Sequence, residues 1–199
     1  VCRRPPPSDT LHGVCSVAQI IPRRLPPSAR SHASSQREAL QRQYNAKIKV
    51  AHWTEALRLL DEMRRKGFPP NIFNYNCAIN RCAKGGKWQC ALDLLEETQR
   101  CGLVPDAITY NSVINACAKG EEWQRALNLL EEMRSRGLVP NEITYNSVIN
   151  ACAKGDEWQR ALNLLEEMRS RGLVPNEITY TSVIHACAKG GESQRAREL

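Results

Sequence analysis

No run of about 20 apolar residues, the length a bilayer span needs, occurs in this 199-residue chain, so a soluble protein is expected. There is no Cys-x-x-Cys pair, and the four histidines, His12, His32, His52 and His185, are scattered, so no metal-ligand cluster emerges. Clustered aspartates that would hold a catalytic metal are missing, as is the His-Glu and Cys-x-x-Cys signature of a deaminase. The chain itself is therefore expected to carry neither catalysis nor a cofactor. A disulfide framework is disfavoured too: the nine cysteines are odd in number, and Cys82, Cys117, Cys152 and Cys187 recur at a fixed step, which marks reduced core residues. A net charge of +7 favours an anionic partner without separating nucleic acid from a membrane surface.

Acidic residues are nearly absent from residues 1–35, where Asp9 stands alone beside six of the eleven prolines, six serines and five arginines. Such a composition cannot pack a core, so 1–36 is expected to be a disordered basic segment. It matches an organelle transit peptide, pointing to a mitochondrion or plastid, and equally a plain basic tail.

From 37 onward the landmarks return every 35 residues: Trp53, Trp88, Trp123 and Trp158; Pro70, Pro105, Pro140 and Pro175; Gly67, Gly102, Gly137 and Gly172. This period marks a solenoid of stacked supersecondary units. The units are 37–71, in which the Tyr-Asn phrase is lost, then 72–106, 107–141, 142–176 and the partial 177–199. Units 107–141 and 142–176 differ only at Ala107/Glu142 and Glu121/Asp156.

Within a unit, Tyr110, Val113, Ile114 and Cys117 fall at i, i+3, i+4, i+7, the stripe of an amphipathic helix, and Gly120 is expected to end it as a left-handed residue. A second stripe, Trp123, Ala126, Leu127, Leu130 and Met133, predicts a second helix closed by Gly137 and Pro140. The fold class is thus all-α, a superhelical solenoid of helical hairpins that bury their stripes only by stacking.

Asn111, Asn115 and Lys119 stand at i, i+4, i+8 in one polar row beside the first stripe, and the row recurs as Asn76, Asn80, Lys84, as Asn146, Asn150, Lys154 and as Thr181, His185, Lys189. Stacking turns these rows into a track of amides flanked by ammonium groups. The acids Glu131, Glu132, Glu166 and Glu167 fall on the other helix, so the two charge signs are expected in different layers. Asparagine is a poor helix former, and a merely solvated face would use Glu, Gln or Lys, so the track suits a single-stranded nucleic acid. Asp106, Asn141 and Asn176, each following a proline, read as N-caps of the next helix. The repeated tryptophans and tyrosines are expected to pack rather than stack bases.

The unit "ITYNSVINACAKGEEWQRALNLLEEMRSRGLVPNE" resembles the pentatricopeptide repeat, in its pure 35-residue form, over roughly 37–199. The resemblance implies an α-α superhelix that binds single-stranded RNA, one base per repeat, in organellar RNA processing, stability, editing or translation. It implies base reading by Asn76 with Asp106, Asn111 with Asn141 and Asn146 with Asn176, so that the cap residues also read. Thr181 would lean toward a purine. Phe73, Ile108, Ile143 and Ile178 would sandwich the bases, and the expected target is 5′-U-Y-Y-3′, where Y is a pyrimidine. Lys84, Lys119, Lys154 and Lys189 are the expected phosphate contacts. In the first unit Gln41 and Asn71 hold the matching places. A protein-interaction scaffold, or the RNA-binding part of a larger enzyme such as protein-only ribonuclease P, is the alternative.

Overall fold

A computed structural model describes the backbone of residues 27–198 and the side chains of residues 38–198. Helices α1 (Pro27–Val50) and α2 (Trp53–Arg65) come first, followed by the hairpins α3 (Ile72–Lys84) with α4 (Trp88–Arg100), α5 (Ala107–Lys119) with α6 (Trp123–Ser135), α7 (Glu142–Lys154) with α8 (Trp158–Ser170), and α9 (Glu177–Lys189) with α10 (Ser193–Glu198). Of the segment expected to be disordered, 1–26 lies outside the described residues. Residues 27–36 instead open α1: Pro27 sits at its first position, where its fixed φ is favourable, and neither Pro nor Gly follows before 37. Contacts divide the chain between Arg37 and Glu38, and the remaining description concerns the second unit.

First helices pack in an unbroken row, α3 on α5, α5 on α7 and α7 on α9, and α4, α6 and α8 each pack on their own first helix and the next one. Successive second helices meet through long side chains, Gln99 on Glu132 and Arg134 on Glu167, without close backbone approach. A double row whose one layer is packed more closely than the other bends toward the closer layer, so the first helices line the inner side. Every member of the α5 stripe is buried. In α6 the buried set is Ala126, Leu129, Leu130 and Met133, with Leu127 only half-buried. Leu129 replaces Leu127 because α6 is wedged between α5 and α7, which widens its apolar face.

Gly120 is not left-handed: its φ is −86°, and the left-handed residue is the next one, Glu121, at 62°. Gly120 is small for another reason. A Cβ there would overlap Cδ1 of Trp88 from the preceding hairpin, and Gly85, Gly155 and Gly190 meet Trp53, Trp123 and Trp158 in the same way. The guanidinium of Arg125 lies over the Trp88 ring at 5.2 Å, as Arg160 does over Trp123 at 5.1 Å and Arg195 over Trp158 at 5.4 Å. Each tryptophan is therefore gripped by the next repeat.

A polar lattice also crosses the boundaries. Arg134 donates to the Tyr145 hydroxyl at 2.8 Å and to Glu167 Oε1 at 2.5 Å, and Tyr145 itself donates to Glu167 at 3.1 Å. Arg64 likewise reaches the Tyr75 hydroxyl and Glu97, although that hydroxyl faces Cys101 Sγ at 3.6 Å, while between them Gln99 takes the arginine's place and donates to Glu132 at 3.1 Å. The expected segregation of charge does not hold, because the second-helix acids are matched on their own layer: Arg134 pairs with Glu131 and Arg136 with Glu132. The first unit has also kept more than its register suggested. Tyr44, one helical turn beyond the place of the missing tyrosine, donates to Glu62 at 2.9 Å, just as Tyr110 donates to Glu132 at 2.9 Å.

The recurring cysteines are fully buried and free. Burial pushes the Cys117 thiol up to about 11 and those of Cys82 and Cys152 to about 12, so they stay protonated at neutral pH. Among the described residues no group of three or more His, Cys, Asp or Glu is placed to hold a metal.

Candidate nucleic-acid interface

The proline that closes each repeat ends a turn, and the polar residue after it starts the next first helix. Asn71, Asp106, Asn141 and Asn176 are all N-caps in extended conformation. Each accepts from the backbone N–H three residues on, at 2.8 Å for Asp106 and 3.1 Å for Asn141, and the side chain of that third residue accepts from the cap's own N–H. These reciprocal bonds satisfy two backbone donors that the helix start leaves open. They also hold the cap side chain at the mouth of the boundary.

The cap is then joined to the preceding repeat. Asn76 Nδ2 donates to Asp106 Oδ1 at 3.3 Å, Asn111 Nδ2 to Asn141 Oδ1 at 3.5 Å, and Asn146 Nδ2 to Asn176 Oδ1 at 3.4 Å. The structure thus brings together the three residue pairs that the family resemblance implies, Asn76 with Asp106, Asn111 with Asn141 and Asn146 with Asn176. The carbonyl oxygen of each of these asparagines is occupied by a threonine hydroxyl: Thr109 on Asn76 at 2.7 Å, Thr144 on Asn111 at 2.6 Å and Thr179 on Asn146 at 2.5 Å. These threonines are fully buried, and sequence reasoning did not single them out. Their signal was the spacing Asp-x-x-Thr and Asn-x-x-Thr, a capping box with threonine as its third-position partner.

Burial would raise the Asp106 carboxyl, but bonds from the backbone N–H groups of Thr109 and Ile108 and from the Asn76 amide outweigh it and hold the group below its ordinary value. Asp106 is an ionised acceptor at neutral pH. Its Oδ1 accepts from the Thr109 N–H and from the Asn76 amide.

Apolar side chains flank the pairs. Phe73 is 50 % exposed, Ile108 65 %, Ile143 62 % and Ile178 65 %, on the first turn of their helices, where no core packing accounts for them. Thr181 stands exposed on α9 in register with Asn76, Asn111 and Asn146. Lys84, Lys119, Lys154 and Lys189 are exposed at the last positions of the first helices, and Lys189 pairs with Asp156 at 2.5 Å. The second members of the polar rows, Asn80, Asn115 and His185, are exposed, and Asn150 is half-buried.

Stacked helical hairpins with a polar pair at each boundary define a helical-repeat protein with a ladder of equivalent sites. The chain belongs to the pentatricopeptide repeat family: the PPR repeat family model matches residues 70–119, 105–154 and 143–189, and the pentatricopeptide repeat domain model matches 45–85. No curated protein matches it. Among solved structures it is similar to the PPR domain of Arabidopsis thaliana protein-only RNase P 1 in complex with tRNA (TM-score 0.61, 18 % identity, 85 % of this chain and 89 % of that one). It is also similar to nuclear proteinaceous RNase P 2 of A. thaliana (TM-score 0.70, 16 % identity, 81 % and 37 %). A third is the repeat protein PPR10 of maize in complex with an 18-nucleotide psaJ RNA element (TM-score 0.62, 28 % identity, 88 % and 26 %). The chain spans well under half the length of the last two.

Proposed function

We propose that the chain binds single-stranded RNA and takes one base at each of three boundaries: Asn76 with Asp106, Asn111 with Asn141, and Asn146 with Asn176. The observation that supports this reading best is the hydrogen-bonded pair at each boundary with exposed apolar side chains on either side of it. A flat base between Phe73 and Ile108, or between Ile108 and Ile143, would cover those side chains and present its polar edge to the pair. Base stacking of this kind contributes about 1–3 kcal/mol per nucleotide. The RNA-bound relatives lend support.

Hydrogen-bond polarity favours pyrimidines. At the first of these boundaries Asp106 offers an acceptor and Asn76 its remaining amide hydrogen, which complements the N3–H and a carbonyl of uracil. At the next, Asn141 Oδ1 already accepts from the Thr144 N–H and Asn111 Nδ2, so both asparagines turn amide hydrogens outward. Amide hydrogens suit the O2 and N3 acceptors of cytosine or the carbonyls of uracil. The same holds for Asn146 with Asn176. The target is 5′-U-Y-Y-3′, with phosphates met by Lys84, Lys119 and Lys154. A role in organellar RNA processing, stability or translation follows from the family resemblance and the basic N-terminal composition, with any catalysis supplied outside this chain.

Binding of short labelled RNAs tests the reading. The wild type is expected to prefer pyrimidine-rich strands, and Asn111→Thr with Asn146→Thr to shift that preference toward purines. Equal binding of all strands by both proteins would overturn it.

A further inference from the structure

The four boundaries share a frame but not one hydrogen-bond polarity. At the three considered so far the third residue of the first helix is a threonine, Thr109, Thr144 or Thr179. At the boundary between α2 and α3 it is Asn74, which is fully buried. The orientation of Asn74 is fixed by a group whose direction cannot change. The backbone N–H of Asn71 donates to Asn74 Oδ1 at 3.0 Å, so that atom must be the oxygen. Gln41, in the register place of Asn76, meets the same oxygen at 2.5 Å, so its contacting atom must be the nitrogen Nε2. The other amide end of Asn74 donates to Asn45 Oδ1.

At the other boundaries the order is reversed. The Thr144 N–H fixes Asn141 Oδ1 as an acceptor, Asn141 fixes the Asn111 atom facing it as Nδ2, and the Asn111 oxygen is thereby turned inward onto the Thr144 hydroxyl. A threonine at the third position thus consumes the reader's oxygen and exposes its N–H. An asparagine there consumes the reader's N–H and exposes its oxygen.

We propose that this third residue is a specificity-determining residue, and that Asn74 makes Gln41 with Asn71 a further base subsite of opposite polarity. The proposal rests on the RNA-binding reading above. With Gln41 Oε1 outward where Asn76 offers an N–H, and the Asn71 amide hydrogens where Asp106 offers an acceptor, this subsite selects adenine or cytosine, whose amino group and bare ring nitrogen stand where uracil has a carbonyl and N3–H, at the nucleotide 5′ of U-Y-Y. It stacks the base on one side only, against Phe73, because Glu38 occupies the register place of the other apolar flank. The subsite therefore adds selectivity more than affinity.

The test uses the full chain and four RNAs of the form N-U-Y-Y that differ only at N. The wild type is expected to bind adenine and cytosine at N about three- to tenfold more tightly than uracil, the worth of one hydrogen bond. Asn74→Thr is expected to invert this order toward uracil while U-Y-Y preference and helicity stay as they were. Gln41→Met, at a half-buried side chain, provides a second arm that does not disturb the capping box and is expected to abolish the discrimination. An unchanged order at N in both variants, with U-Y-Y preference intact, overturns the proposal alone. Loss of U-Y-Y preference in the wild type overturns the underlying reading instead.

Discussion

Glu121 and Gly120 show how one residue's position in sequence conceals its physical task. The periodicity places a helix end at Gly120 correctly but assigns the left-handed conformation to the glycine, whereas the chain puts it on the glutamate beside it. The tight approach of Trp88 crosses a repeat boundary, and no local pattern reveals it. Glu121→Gly should stabilise the protein by about 1 kcal/mol, since Gly86 and Gly191 hold the same conformation at the matching places without a Cβ penalty. Gly120→Ala should cost about 1–3 kcal/mol through overlap with the indole. Chemical denaturation of the two variants against wild type checks both signs, and a destabilised Glu121→Gly would show that the side chain offsets the strain. The capping role of Asp106 and Asn141 was legible, because a polar residue after a proline and before an apolar stripe has few other uses. Their pairing with Asn76 and Asn111 was not derivable from spacing, because it depends on how far each hairpin rotates on its neighbour; only the family resemblance joined them.

Hairpins are legible because both stripes and both stops repeat in every unit, and four of them stack as their periodicity requires. What the pattern did not disclose is the lattice of Tyr145, Glu167 and Arg134, whose members lie on three helices. Nor did a fixed register of 35 find Tyr44, since a side chain one turn along the same helix face reaches the same carboxylate. Arg134 is largely buried and bonds across a boundary, so Arg134→Gln, which copies Gln99 one repeat earlier, should lower stability by about 1 kcal/mol. A double-mutant cycle with Tyr145→Phe checks this. A coupling near zero would mean that the guanidinium acts independently of the hydroxyl.

Across the stacked unit the first helices contribute the lysines at their C-terminal ends and the amides nearer their N-terminal ends, so the charged line and the proposed base-reading line run apart along the same layer. Changing Lys119 and Lys154 to Ala should weaken binding to every strand about alike and reduce the salt slope by about 1 for each phosphate no longer neutralised. Titrations at several salt concentrations measure that slope. A selective loss for one sequence would place these side chains at bases instead. Because successive second helices meet only through long side chains such as Arg134 on Glu167 and Arg125 over Trp88, the outer layer is sprung rather than welded. Each hairpin can tilt about the inner row as a vane tilts on its pivot, as far as those side chains swing. The pitch of the ladder adjusts within that play to the stride of whatever polymer threads it.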